Sequence, residues 1–236
     1  MIKPILIGAV VFLGIVLLVG GVRLGLLVRS LSSYKTYWQK EASKAPEPGA
    51  ITYLALGDST AQGIGATSPR RGYVGLVAEY LQNKTGKPVH VINISVSGAK
   101  INDAIKTQLP QLKDLPKPDY VTIEIGANDV PIYEKEKFRH EFAELLRGLP
   151  KGTYVANMPS FAGGRAGKFN ANATNASKLI AEQLISRSDL HLVDVNATTT
   201  NQNIRDFGAD MYHPSNKGYK NWGRAFTTSI DAHLNN

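Results

Sequence analysis

Four short polar stretches carry the residue types that acyl-transfer chemistry requires. Gly57-Asp58-Ser59-Thr60, with Gly63 and Gly65 following, sets a serine in a glycine-rich segment. Small residues there allow a sharp strand-to-helix turn with the hydroxyl near a helix N-terminus. Read alone, Ser59 serves equally well as a helix cap. Asn93-Ile94-Ser95-Val96-Ser97-Gly98 offers a glycine whose N–H can approach a reacting oxygen without side-chain obstruction, or an ordinary turn. Gly126-Ala127-Asn128-Asp129 offers an amide NH₂ as a further oxyanion donor, or an Asx turn. Asp210-Met211-Tyr212-His213-Pro214 pairs a histidine, the natural base for a serine hydroxyl, with a carboxylate three residues earlier that can orient its ring. A surface Asp and His in a proline turn is the plainer reading of that stretch.

Other chemistries fit less well. No Gly-Lys-Ser/Thr ending makes the first stretch a phosphate loop, and no G-x-S-x-G elbow surrounds Ser59. The five histidines form no H-x-x-x-H pair, which argues against a zinc hydrolase, and no metal or cofactor is expected. The absence of cysteine excludes disulfides, thiolate metal sites and a cysteine nucleophile.

The elements that must position these residues alternate along the chain. Strands are predicted at Ile51–Leu56, Val89–Asn93, Tyr120–Ile125, Thr153–Asn157 and Leu190–Val195. Helices are predicted at Tyr73–Thr85, Asn102–Leu109, Glu134–Leu146, Asn172–Ile185 and Lys217–Leu234. Such alternation argues for an α/β domain, a parallel sheet with helices on both faces. Active sites of such sheets gather at the carboxyl ends of the strands, where the polar stretches fall.

With the four stretches in this order, the chain from about Ile51 to Leu234 resembles the SGNH hydrolases, the GDSL-like esterase/lipase family. The resemblance implies a three-layer, doubly wound, mostly parallel five-stranded sheet of flavodoxin-like type. It implies Ser59 as nucleophile, His213 as general base and Asp210 as the group that orients it. It also implies an oxyanion hole made by the Ser59 and Gly98 N–H groups and the Asn128 side chain. Asp58 and Asp129 are read as structural. Ser95 stands where relatives often carry glycine, and the first block reads G-D-S-T rather than G-D-S-L; neither departure touches the reacting groups. The implied activity is hydrolysis of carboxylic esters, whether of lipids, lysophospholipids or O-acetylated glycans. An acyltransferase on the same site and a non-catalytic, membrane-tethered binding module are the alternatives. Phe161, Ile132 and Tyr133 are candidates to line an acyl pocket.

Ahead of this domain, Pro4 to Val22 is uncharged and apolar, and after Arg23 the apolar character resumes to Val28. About 19 helical residues at 1.5 Å each span the roughly 30 Å hydrocarbon layer of a bilayer. No small-x-small cleavage site follows, so an uncleaved anchor is expected, with a transmembrane helix over residues 4–28. Arg23 can snorkel to the interface. Residues 1–29 are read as the anchor, 30–49 as a juxtamembrane linker with Tyr34, Tyr37 and Trp38 at the lipid headgroups, and 50–236 as the enzyme domain. Lys3 lies before the apolar stretch, whereas Arg23, Arg29, Lys35 and Lys40 follow it, a distribution that favours a cytoplasmic domain. Members of the family are often exported, and the reading leans to the extracytoplasmic side. The net charge of +8 is scattered, with Arg70-Arg71 the longest cluster, so no nucleic-acid partner is expected.

Overall fold

A computed structural model describes residues 2–234, without the side chains of residues 2–7, 23, 26 and 234. The expectations resting on the Lys3 and Arg23 side chains lie outside the described residues. Five strands, β1 (Ile51–Gly57), β2 (Val89–Asn93), β3 (Tyr120–Glu124), β4 (Tyr154–Ala156) and β5 (His191–Val193), form one parallel sheet in the order β2-β1-β3-β4-β5. The helices are α1 (Ile2–Ala42), α2 (Ser59–Gln62), α3 (Tyr73–Thr85), α4 (Ile101–Thr107), α5 (Lys135–Gly148), α6 (Asn170–Ile185), α7 (Val195–Thr199) and α8 (Asn216–Leu234).

The central strands are covered on both faces, which is why β1 and β3 read as nearly unbroken apolar runs. On one face, Phe138 and Phe142 of α5 and Ala173, Ala176 and Ile180 of α6 pack with Leu54, Leu56 and Ile123. On the other, Tyr73 and Val77 of α3 and Trp222 and Phe226 of α8 pack with Tyr53 and Ala55. The expected three-layer parallel sheet is therefore present. The strand order reverses at β1, so the cleft between the loops after β1, β2 and β3 lies at a topological switch point.

Most element ends shift by a residue or two from the sequence reading, and two differences bear on the architecture. β5 ends at Val193 because Asp194 caps the unanticipated helix α7, its carboxylate accepting the Ala197 N–H at 2.9 Å. The larger difference is at the N-terminus, where residues 30–42 form no connector. They continue α1, a single helix of 41 residues, about 60 Å long and so roughly twice the thickness of a bilayer core. Its outer half is long and apolar enough to cross a membrane, and each residue from Gly8 to Val22 is exposed (Phe12 69%, Leu18 68%). Its inner half belongs to the domain. Trp38 is 3% exposed, its ring among Tyr53, Ala55 and Val74, and its indole N–H donates to Gln62 O at 3.0 Å. Tyr34 donates to Ala66 O at 2.8 Å, and Tyr37 accepts from Arg70 Nε. These aromatics anchor the helix to the domain rather than to lipid, because α1 lies along the edge strand β2 and against the α2 turn.

Trp38→Ala should therefore cost about 3–5 kcal/mol, as other buried large-to-small changes do, measurable by denaturant unfolding of the detergent-solubilised chain. A residue at a lipid headgroup would cost far less.

Candidate active site

β1 ends in Gly57, whose φ of +138° and close approach to β3 exclude any side chain: a Cβ there would lie 2.2 Å from Glu124 O. Asp58 then caps α2, its Oδ1 accepting the Thr60 N–H and hydroxyl, each at 2.9 Å. Ser59 thus opens a four-residue helix that Gly63 closes in the left-handed conformation. Buried Gln108, at the end of α4, brackets Gly57 from the side. It accepts the Gly57 N–H at 2.9 Å and donates to Gly57 O at 2.8 Å. Gln62 reaches across to the loop after β2, donating to Ser95 O at 2.9 Å and accepting from Ser97 Oγ at 2.7 Å.

The histidine segment meets this turn from the far end of the chain. Ser59 Oγ lies 2.8 Å from His213 Nε2, and His213 Nδ1 lies 2.6 Å from Asp210 Oδ2. The other Asp210 oxygen accepts the Tyr212 and His213 N–H groups, both at 3.0 Å, so one carboxylate holds both the ring and its backbone. This tight turn forces Met211 to a φ of 57°, and Met211 is the single non-glycine residue with positive φ among the described residues. Burial pushes the Asp210 carboxyl up, but the hydrogen bond and charge of His213, with the two backbone donors, outweigh it and leave it below its ordinary value. Gly65 packs behind the ring; a Cβ there would lie 2.8 Å from His213 Cβ.

The three expected oxyanion donors border the same cleft but differ in state. Among the described residues, neither the Ser59 nor the Gly98 N–H has a protein acceptor, and Gly98 adopts a φ of +80° beside open space. The Asn128 amide is engaged: its Nδ2 donates to Asp58 Oδ2 at 3.1 Å and to Ala99 O at 3.0 Å. Phe161, a candidate for an acyl pocket, is 7% exposed and packs in the core, whereas Ile132 is 59% exposed.

Sequence reasoning missed a buried acid pair beneath the serine. Thr60 Oγ1 contacts both Asp58 Oδ1 and Glu124 Oε2, yet it has one hydrogen to donate. One of the two carboxyls must therefore carry a proton and donate to Thr60. Asp58 accepts three hydrogen bonds in all, from the Thr60 N–H and hydroxyl and from Asn128, as an anion requires. Glu124 is fully buried, and its Oε1 has no partner. Burial first, and then the Asp58 charge, push the Glu124 carboxyl well up. Glu124 is thus the neutral acid, in a chain Glu124–Thr60–Asp58–Asn128. The signal for it was a lone glutamate at the end of an otherwise apolar strand.

Glu124→Gln, which keeps a neutral donor toward Thr60, should preserve fold and turnover within a few-fold; a loss above a hundred-fold in ester hydrolysis would mean that the carboxylate itself is required. Asp129 allows a second check. Burial, opposed by the Ile101 N–H, raises its carboxyl from 3.8 to about 6. The folded state therefore holds this proton more tightly than the unfolded chain, so its contribution to stability falls as pH rises from about 4 to about 6 and is level above. Asp129→Asn can still accept the Ile101 N–H, so its melting temperature should match or exceed wild type at pH 7, with the difference closing by pH 4.

The profile of the GDSL-like Lipase/Acylhydrolase family matches residues 55–220, which include all four polar stretches. The spore germination lipase LipC of Bacillus licheniformis is 25% identical over 194 residues, covering 72% of this chain and 92% of its own. An arylesterase of Vibrio mimicus is 36% identical over 132 residues, covering 56% of this chain and 55% of its own. Among solved structures, the lipase/acylhydrolase from Enterococcus faecalis aligns with a TM-score of 0.63 at 24% identity, over 78% of this chain and 97% of that one. An acetyl xylan esterase from Geobacillus stearothermophilus aligns with a TM-score of 0.61 at 21% identity, over 76% and 94%. At these identities the solved structures speak for the fold, and the sequence profile speaks for the family. This chain belongs to the GDSL-like lipase/acylhydrolase family.

Proposed function

We propose that the chain is a membrane-anchored serine esterase that cleaves carboxylic esters through an acyl-enzyme on Ser59. The observation that carries this reading is the unbroken relay from Ser59 Oγ to His213 Nε2 (2.8 Å) and from His213 Nδ1 to Asp210 Oδ2 (2.6 Å). Relatives named lipase, arylesterase and acetyl xylan esterase support the same bond type.

In this mechanism Ser59 Oγ attacks the ester carbonyl carbon as His213 Nε2 takes its proton. The anionic Asp210 fixes the ring tautomer and stabilises the imidazolium. The free Ser59 and Gly98 N–H groups receive the developing oxyanion. Asn128 joins them by exchanging its bond to Ala99 O for the substrate oxygen, while Asp58 keeps the amide aimed. His213 then returns the proton to the leaving alcohol. Water, activated by the same imidazole, releases the acid and restores Ser59.

The substrate reading rests on where α1 leaves the domain. Its contacts run from Gln62 (Trp38) to Ala66 (Tyr34), so toward its N-terminus it exits at the carboxyl ends of the strands, the edge that carries Ser59. An active edge turned toward the bilayer favours a lipid ester as substrate. The extracytoplasmic side is proposed for the domain, with protease access in intact cells as its check.

Ser59→Ala should abolish hydrolysis of an ester series of increasing acyl length and block labelling by a fluorophosphonate, with the melting temperature unchanged. Wild-type turnover in that variant would overturn the assignment. A maximum at acetyl esters would redirect the substrate to O-acetylated glycans.

A further inference from the structure

A cavity of about 660 Å³ includes neither Ser59 nor His213 in its walls. It lies where α1 parts from the domain. Arg29, Ser33 and Tyr34 of α1 form one wall, Arg205 and Phe207 of the segment before His213 another, and Lys217 in the first turn of α8 closes it. Lys217 is paired with Asp206 at 2.8 Å. No carboxylate lies within ion-pair distance of the Arg29 or Arg205 guanidinium among the described residues, so the cavity holds a surplus of positive charge. Three separate segments thus converge their cations on a space of ligand size that also has apolar walls.

Its depth is set by α1. Arg29 lies seven residues beyond Val22, the end of the uncharged stretch, or about 10 Å along the helix axis. That distance puts the cavity at the level of lipid headgroups when the apolar half of α1 spans the bilayer. At the rim, Ile204 is 68% exposed beside Arg205, an apolar side chain next to a cation, as surfaces that touch a lipid interface present.

We infer that this cavity is a binding site for the headgroup of an anionic phospholipid, its phosphate held by Arg29 and Arg205 and its acyl chains lying along the exposed face of α1. The inference rests on α1 being a membrane anchor. It concerns a lipid distinct from the substrate, because the reacting groups lie outside the cavity. The site borders the catalytic segment all the same. Gly65 and Gly208 are shared between its wall and the backing of His213, and the Gly208 N–H donates to His213 O at 2.7 Å. A seated headgroup would brace the segment that carries Asp210 and His213.

The test uses the full chain reconstituted with phosphatidylcholine and phosphatidylglycerol in equal amounts, then released for native mass spectrometry to count the retained lipids. Phosphatidylglycerol should be enriched about ten-fold over phosphatidylcholine, in keeping with two arginines near an anionic headgroup. The double variant Arg29→Gln/Arg205→Gln should bring the two lipids to parity while hydrolysing p-nitrophenyl acetate in detergent at the wild-type rate. Equal retention by the wild-type chain, or enrichment that survives in the double variant, would overturn the site. So would glycerol phosphate displacing phosphatidylglycerol at comparable concentration, since the site would then take a soluble phosphate. Flotation with the vesicles separates the two readings. A chain that fails to float overturns both the anchor and the lipid site, whereas a floating chain without preference overturns the lipid site alone.

Discussion

Thr60 has one hydroxyl hydrogen and two buried carboxyls competing for it, and much of the setting of Ser59 follows from that shortage. A buried anion is tolerated when it is surrounded by donors, and a second one beside it is not. The protein resolves this by keeping Glu124 neutral and giving Asp58 the donors: the Thr60 N–H and hydroxyl, and the Asn128 amide. The loop after β1 and the loop after β3 are thereby locked together through one side chain. Gly57, in register with Glu124 on the parallel neighbour β3, has no room for a Cβ, so only glycine lets the chain turn into Asp58 at this point. The serine is thus held from below by a polar network rather than by apolar packing, which keeps its hydroxyl fixed relative to the imidazole.

A second lock comes from the far end of the chain. Asp210 uses one oxygen for the histidine ring and the other for two backbone N–H groups. Ring orientation and loop conformation therefore cannot vary independently. The positive φ of Met211 is the strain that this short spacing imposes, and it is tolerated because the surrounding bonds over-determine the turn: the Arg165 N–H on Met211 O, and the Gly208 N–H on His213 O.

The sheet and its longer helices were legible because each had a local signature, and Ser59, Asp210 and His213 were legible only through the joint order of their blocks and the family resemblance. Strands read as apolar runs, helices as periodic ones, and Asp210 and His213 as a D-x-x-H pair before the last helix. What escaped notice depended on neighbours distant in sequence. Gln108 bonds Gly57 across 51 residues, and Glu124 meets Thr60 across 64, pairings that no local pattern announces. Asn128 was legible as a donor, but its engagement with Asp58 and Ala99 was not, because it depends on which of several acceptors the fold brings nearest. The inner half of α1 misled for a related reason: aromatic residues after an apolar stretch look alike whether their partner is a headgroup or the edge strand β2 and the α2 turn.

Because α1 passes without a break from the apolar stretch into the domain, it is a rigid stalk as well as the proposed tether. With no flexible joint between them, the domain would neither tilt nor drift from a membrane surface independently of the helix. At 3.6 residues per turn, one residue inserted between Val22 and Ser30 would lift the domain by about 1.5 Å and swing it by about 100°. The height of the Ser59 edge above a bilayer spanned by this helix is therefore encoded in the residue count of this stretch.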